Sequence, residues 1–452
     1  MMHRGLLDKG NKPGTRRGRG GAIRPNKTGP SRQNGGRMEM TAPARKLLTG
    51  AFAGVLALAL GAGLTGCSGS NDTKSQSNKS ADGVTQVNVT LKDNSQEVDT
   101  TEVEAGPVTF NVTNESAAGI TEFELLYNQK IVGEKENLAP GLNTVSFTVT
   151  LNGGDYKLYA PGADNSYVDF KVTGEAAAAP EGSAQEIMKK GVAEYATYIK
   201  AQGQYLQDGT AALKTAVDSG DVEAAKKAWA AARPFYEHAE SAVDNFLMPG
   251  YTIPEGEEAD NNYFLDYLID MRESNLDEAA GWHGFHAIER DLWEKGAITD
   301  TTKQYAAELA ENCKILNEQV LPSFADELLP EDLANGAADL LEEVSTTKIT
   351  GEEDKYSHLD LSDFRSNVEG AQQAYASLRD GLKKVDEDLV NRIDSEFQSV
   401  SDMLDSYRDE SALGGYVAYT DELKKSDAEK LSNGIMALHD DLAKLAEKVA
   451  TA

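Results

Sequence analysis

The sequence predicts a small all-β sandwich followed by an all-α antiparallel helical bundle. Three observations carry that expectation. Between Val84 and Val172 apolar residues recur at every second position, the period of a half-buried strand. Across residues 184–452 the apolar spacing is helical, and Ala, Leu, Glu and Lys dominate. Residues 174–183, with Gly174, Pro180 and Gly182, read as the linker between the two.

The chain begins differently. Its first 66 residues carry twelve Lys and Arg against Asp8 and Glu39, while the whole chain stands at −30, which leaves −40 on the remaining 386 residues. Arg45 and Lys46 precede an apolar run from Leu47 to Leu64, and Leu64-Thr65-Gly66-Cys67 closes it. A basic stretch, a short apolar core and small residues before the cut describe an export signal. The last four residues resemble a bacterial lipobox, which predicts cleavage after Gly66 and lipid on Cys67. Residues 1–66 are thus read as leader and lipoprotein signal peptide, with Met38 and Met40 as alternative starts. The polar residues 67–83 read as a flexible tether. An uncleaved membrane helix is the competing reading of the apolar run. With Cys67 acylated, Cys313 has no disulfide partner and reads as a small buried residue on a helix. A balance of −40 speaks against nucleic acid as a partner and suits a protein that meets cations. It equally suits an acidic surface that only keeps an exported protein soluble.

Within residues 84–173 the alternating runs centre on Val87 to Leu91, Val108 to Val112, Phe123 to Leu125, Val145 to Val149, Tyr156 to Leu158 and Val168 to Val172. Turn residues at Asn114, Pro140-Gly141 and Asn152 to Asp155 separate several of them. With Ala105 to Phe110, Ala139-Pro140-Gly141 and Gly154 to Tyr159, the stretch resembles a cupredoxin-like domain. A type 1 copper site needs two His, a Cys and usually a Met. Residues 84–172 contain none of the three, so type 1 copper is excluded on ligand chemistry. The acids present are Glu97, Asp99, Glu102, Glu104, Glu122, Glu124, Glu134 and Glu136. They could hold a hard cation weakly, but without diagnostic spacing they read first as a solvated face.

In the helical part, Gly281 to Trp293 holds two of the chain's six His and two of its three Trp. His286 and Glu289 stand three apart, which puts an imidazole and a carboxylate on one helix face, a turn apart. Glu237 and Glu240 repeat that spacing, Asp270 is a further candidate, and Lys348 to Phe364 brings His358 and several acids to a helix start. Carboxylates and His on facing bundle helices build metal sites. Two or three carboxylates with one imidazole suit iron, manganese or zinc. Taken singly, a Glu-x-x-Glu pair is usually a solvated face, and His238, His283 and His439 read as core residues. His286 differs because Gly284 admits a second backbone at close range.

Gly284 to Glu289 with Leu292 and Trp293 looks like the G-x-H-x-x-E motif of imelysin-like proteins. Arg233 to Glu240 and Lys348 to Phe364 resemble two further blocks of that family, and the likeness runs from about Ser183 to the C-terminus. A cupredoxin-like domain ahead of an imelysin-like one, behind an export signal, is similar to the layout of the extracytoplasmic component of a bacterial iron uptake system. The resemblance implies a protein that captures iron, as Fe2+ or Fe3+ or with another divalent cation in its place, and delivers it to a membrane permease. It implies an iron permease and a haem-type peroxidase as partners. With the lipid, it implies a place on the outer face of the cytoplasmic membrane or in the periplasm. It assigns the metal to His286 and Glu289, with Glu237, Glu240 and Asp270 beside them. In some relatives a cysteine stands near Tyr159-Ala160-Pro161; this chain has Ala160 there, so no first-domain metal site is carried over.

The competing class is a metal-dependent peptidase, as the family's grouping suggests, or a ferroxidase. A zinc peptidase of the common kind carries H-E-x-x-H or its inverse on one helix. Around His286 the fourth position onward is Arg290, and His283 is only three away. A ferritin-like ferroxidase repeats Glu-x-x-His on two helices. The residues therefore favour a binding protein with no assigned catalytic residue.

Overall fold

The computed structural model describes residues 78–79 and 84–452, apart from 129, 178–179, 244–245, 255–259 and 325–326. The expected signal peptide and the expected lipidation at Cys67 lie outside the described residues.

The strands are β1 (Asn78–Lys79), β2 (Thr85–Lys92), β3 (Ser95–Val98), β4 (Glu102–Glu104), β5 (Gly106–Asn114), β6 (Phe123–Tyr127), β7 (Lys130–Lys135), β8 (Val145–Leu151), β9 (Gly154–Tyr159) and β10 (Tyr167–Thr173). One sheet runs β1-β2-β5-β8 with β3 beside β2, and the other runs β4-β10-β9-β6-β7. The pairs β2–β5 and β4–β10 are parallel. Register sets Phe110 opposite Val87 on one side and Phe147 on the other. Its ring stacks on Phe147 at 5.1 Å and meets Phe170 of the second sheet at 5.4 Å. Alternation thus turns one face of each sheet inward, and aromatic contact across the gap joins them.

All six alternating runs lie in strands. Strands β3, β4 and β7 carry no such alternation. Gln96 of β3 points a polar side chain inward, where its amide donates to the backbone oxygens of Asn165 and Ser166. Lys135 of β7 is buried because it pairs with Asp339 of the helical region.

The helices are α1 (Ala184–Ser219), α2 (Val222–Glu237), α3 (Glu240–Val243), α4 (Leu265–Asp270), α5 (Gly284–Trp293), α6 (Asp300–Ile315), α7 (Leu321–Phe324), α8 (Pro330–Thr346), α9 (Asp360–Val385), α10 (Glu387–Asp405), α11 (Asp421–Leu442) and α12 (Leu445–Ala450). Ser183 caps α1 by accepting from the Glu186 N–H, and Gly220, at φ 80°, ends it. Asp221 then caps α2 through the Ala224 N–H. Pro322 lies in α7, directly after a π-helical turn at Leu316–Val320. Helix α1 packs on α2, α6 and α9, and α8 packs on α9 and α11. One apolar core runs through them, including Trp229, Phe285, Leu341, Phe364 and Phe397. Burial of such side chains contributes about 1.5–3 kcal/mol each. Cys313 is part of this core, and burial pushes its thiol up to about 12.

Helix α8 also meets the sandwich. Asn335 donates to the Thr148 carbonyl at 2.9 Å, and Glu331 accepts from Thr150. Beside this contact a cleft of about 570 Å³ lies between sheets and helices, lined by Glu122, Glu134, Glu136, Asp266 and Glu343 and reaching Glu240. Among the described residues no helix is long and apolar enough to cross a membrane.

Candidate metal centre

Helix α5 starts at Gly284, whose φ is +67°. A Cβ there would lie 2.0 Å from the Ile269 oxygen and 3.0 Å from the Asp270 nitrogen. Only glycine lets the last turn of α4 sit against the first turn of α5, and that approach brings Asp270 to His286. From α2, the Trp229 indole donates to the Phe285 carbonyl at 2.9 Å. Its ring stands edge-on to His286 at 6.2 Å. The imidazole is therefore clamped, and it is only 2 % exposed.

The two ring nitrogens face different groups. Nδ1 lies 2.9 Å from Glu289 Oε2, and Glu289 Oε1 accepts from the Tyr356 and Ser357 N–H groups at 2.8 and 2.6 Å. Nε2 has no hydrogen-bond partner. The carboxylate oxygens facing it are Asp270 Oδ1 at 3.4 Å and Glu353 Oε1 at 3.7 Å. A carboxylate that fixes one ring nitrogen while the other points at acids is the usual second layer of a histidine metal ligand.

Around this ring stand eight buried carboxylates: Glu237, Glu240, Asp270, Glu289, Glu353, Asp354, Asp360 and Asp363. Five of them, Glu237, Glu240, Asp270, Glu353 and Asp363, pair with two buried cations, Arg233 and Lys348, with Arg272 at the rim. Arg233 binds Asp270 and Glu353, reaches Glu237 at 2.5 Å and donates to Asp363 at 3.1 Å. Lys348 reaches Glu240 at 2.6 Å, Glu237 at 3.2 Å and Glu353 at 3.4 Å. Asn367 donates to Glu237 and Glu240, each at 2.8 Å. Buried charge is costly unless it is paired, so acids in such excess are suited to meeting a further cation.

The electrostatics divide the acids. Burial alone would raise Asp270, but Arg233 and His286 hold it below the usual carboxylate range. Glu353 is likewise raised by burial and pulled well below by Arg272, Lys348, His286 and Arg233. Burial together with the charge of Glu237 pushes Glu240 well up, and burial with Asp363, Glu289 and Asp360 does the same to Asp354. Burial would lower His286, but the carboxylates of Asp270, Glu289 and Glu353 around the ring reverse that and hold it well above the ordinary value. The two acids facing Nε2 are thus ionised at neutral pH, and the proton to be displaced by a cation sits on the imidazole.

Of the residues expected from sequence, His286 and Asp270 come together, and Glu353 completes a group whose ligand atoms all lie within 4.8 Å of one another. Glu289 lies on the other ring nitrogen and forms a group with His286 and Asp354. Glu237 joins Glu353 and Asp363. Glu240 joins no such group among the described residues; it pairs with Lys348 and borders the cleft. Neither Glu237 nor Glu240 lies on a solvated face, at 0 % and 4 % exposure. His238, His283 and His439 face Glu369, Glu308 and Glu342, away from this ring. Sequence reasoning singled out the block from Lys348 to Phe364 but did not assign Glu353, Asp354 or Asp363. The available signal was Gly351, at φ 77°, with three consecutive acids after it.

Comparison with known proteins accords with this architecture. The family model Peptidase_M75 (Imelysin) matches residues 191–445. The iron uptake system component EfeO of Escherichia coli (strain K12) is 34 % identical over 370 residues, covering 80 % of this chain and 91 % of that protein. EfeO of Shigella flexneri matches to the same extent. EfeO of Escherichia coli O6:K15:H31 is 32 % identical over 369 residues, with the same coverage of each chain. With two β-sheets ahead of a helical region that carries the matched segment, the chain belongs to the imelysin family, among its EfeO-type members.

Proposed function

We propose that this chain captures iron outside the cell and hands it to a membrane permease. The observation that carries the reading is His286 Nε2, a buried ring nitrogen without a hydrogen-bond partner that faces Asp270 and Glu353. One imidazole with carboxylates suits iron in either state, and another divalent cation of similar preference. Glu237 stands next to these ligands, and Glu289 holds the ring by its other nitrogen. The relatives' description as iron uptake components supports iron as cargo. Arg233 holds the same acids that a cation would draw, so it tempers affinity and favours release. The acidic cleft that ends at Glu240 offers a way in, and its charge gathers cations. Lipid on Cys67 keeps the protein near the permease and a haem-type peroxidase, on the outer face of the membrane.

The test is iron titration of the full chain with His286→Ala and Asp270→Asn, singly and together, and His439→Ala as control. Each single change weakens binding more than about 100-fold, beyond the effect of an outer-layer residue. The double is scarcely worse than the weaker single, because both serve one ion. Unchanged binding in His286→Ala sinks the reading. Multiple-turnover cleavage of casein or oxidation of Fe(II) would move the chain into the enzyme class.

A further inference from the structure

We propose a second cation seat on the Nδ1 side of His286, built from Asp354, Asp360, Glu289 and Ser357 and suited to a hard divalent cation such as Mn2+ or Ca2+. It is independent of the iron reading, which uses the opposite ring nitrogen.

Three ligand atoms, one each from His286, Glu289 and Asp354, lie within 4.8 Å of one another. Asp354 Oδ1 is 4.0 Å from His286 Nδ1. The independent observation is a concentration of unpartnered buried oxygens. Asp354 is 0 % exposed, and neither of its carboxylate oxygens has a hydrogen-bond partner. Asp360 Oδ2 and Ser357 Oγ, also buried, have none either. These residues are tied together by the backbone. The Asp354 N–H donates to Asp360 Oδ1 at 3.3 Å, and the Ser357 N–H donates to Glu289 Oε1 at 2.6 Å.

Buried polar atoms are almost always paired, so four orphaned oxygens along one short segment, with His358 Nδ1 unpartnered among them, need a cause. The fixed cations serve the other side. Arg233 is paired with Asp270, Glu237, Glu353 and Asp363, and Lys348 with Glu237, Glu240 and Glu353. A proton on a carboxylate would satisfy one oxygen by donating and leave its other oxygen an acceptor without a donor. A cation accepts several oxygens at once. Carboxylate and hydroxyl oxygens select hard cations, and Ca2+ and Mn2+ take such sets. Glu289 already spends one oxygen on backbone N–H groups and the other on Nδ1, so Asp354, with both oxygens unpartnered, carries the seat, Glu289 closes its edge, and Asp360 is tied to it through the Asp354 N–H.

The experiment uses the full chain, stripped with chelator and titrated with Mn2+, with free Mn2+ followed by electron paramagnetic resonance. Asp270→Asn disables the Nε2 side and retains one Mn2+ equivalent, which excess Ca2+ displaces. Adding Asp354→Asn to that variant weakens the remaining equivalent more than about 100-fold, as loss of a direct ligand should. Adding Ser357→Ala, which keeps every carboxylate, weakens it about tenfold and serves where the Asp354 variant fails to fold by circular dichroism. No Mn2+ bound by Asp270→Asn, or unchanged binding in both doubles, overturns the proposal. Iron titration of Asp270→Asn separately judges the Nε2 site, so the two readings fail in different measurements.

Discussion

The β3–β4 edge of the sandwich and the helical centre carry their acids in opposite ways. In the sandwich, Glu97, Asp99, Glu102 and Glu104 are exposed, and the space between the sheets is filled by Phe110, Phe123, Phe147 and Phe170. In the helical region eight carboxylates are buried around one imidazole, and Trp229 and Phe285 pack beside them. Both regions are rich in acid, so acid content does not make a site. What distinguishes the helical centre is that its acids are taken out of water, five of them held by Arg233 and Lys348. Water screens an exposed carboxylate at little cost, whereas a buried one demands a partner.

The largest test of that contrast is Arg233→Met. It leaves Asp270, Glu237, Glu353 and Asp363 without their shared cation, and breaking a buried ionic cluster costs about 3–5 kcal/mol. Urea unfolding of the full chain, followed by helicity, should lose that much, and the stripped protein should take up protons as the acids neutralise. Stability equal to that of the parent would mean that the acids are held by something other than this guanidinium.

The same contrast explains what could be read from the sequence. The six main strands were legible because alternation records a buried face directly. His286 was legible through Glu289 at i+3 and through Gly284. Asp270 was legible as an acid within the apolar segment Leu268-Ile269-Asp270-Met271. Glu353 and Asp354 were not assignable, because they lie between Gly351 and the start of α9 at Asp360, where no periodicity applies. Arg233 gave no signal, since a basic residue in an acidic block reads as a solvated pair until burial is known. Strand β7 was hidden for the same reason, as Lys135 is buried by a partner 204 residues away. Charged residues buried by distant partners were the part that local pattern could not reach.

A middle-sized effect concerns pH. His286 is held well above its ordinary value of about 6.5. A raised folded value stabilises the metal-free fold fully below about 6.5, and that contribution is lost as pH rises through the raised value. Metal binding runs the other way, because the cation must displace this proton. Asp270 and Glu353, both held low, stay ionised throughout and add no slope. Anaerobic Fe2+ affinity should therefore rise by about tenfold per pH unit from 6.5 and keep rising above 7. An exposed histidine would level off near 7. A flat affinity between pH 6.5 and 8 would remove His286 from the ligand set.

The smallest expected effect tests the other side of the contrast. Glu97 of β3 and Glu102 of β4 are exposed, and each could be a weak cation ligand or only a solvated charge. Changing both to Gln removes two charges but no packing, since the inward neighbours Gln96 and Val103 are untouched. Exposed substitutions of this kind move stability by less than about 0.5 kcal/mol. Iron affinity should change less than about threefold, the residue of a lost long-range attraction that salt at about 0.15 M largely screens. The measurement is iron titration of the double variant at low and at physiological ionic strength, beside the parent. A difference that appears only at low salt keeps the sandwich acids as a diffuse field. A tenfold or greater loss that persists at physiological salt would make these strands part of a metal site, and the division between a solvated first region and a buried second one would fall.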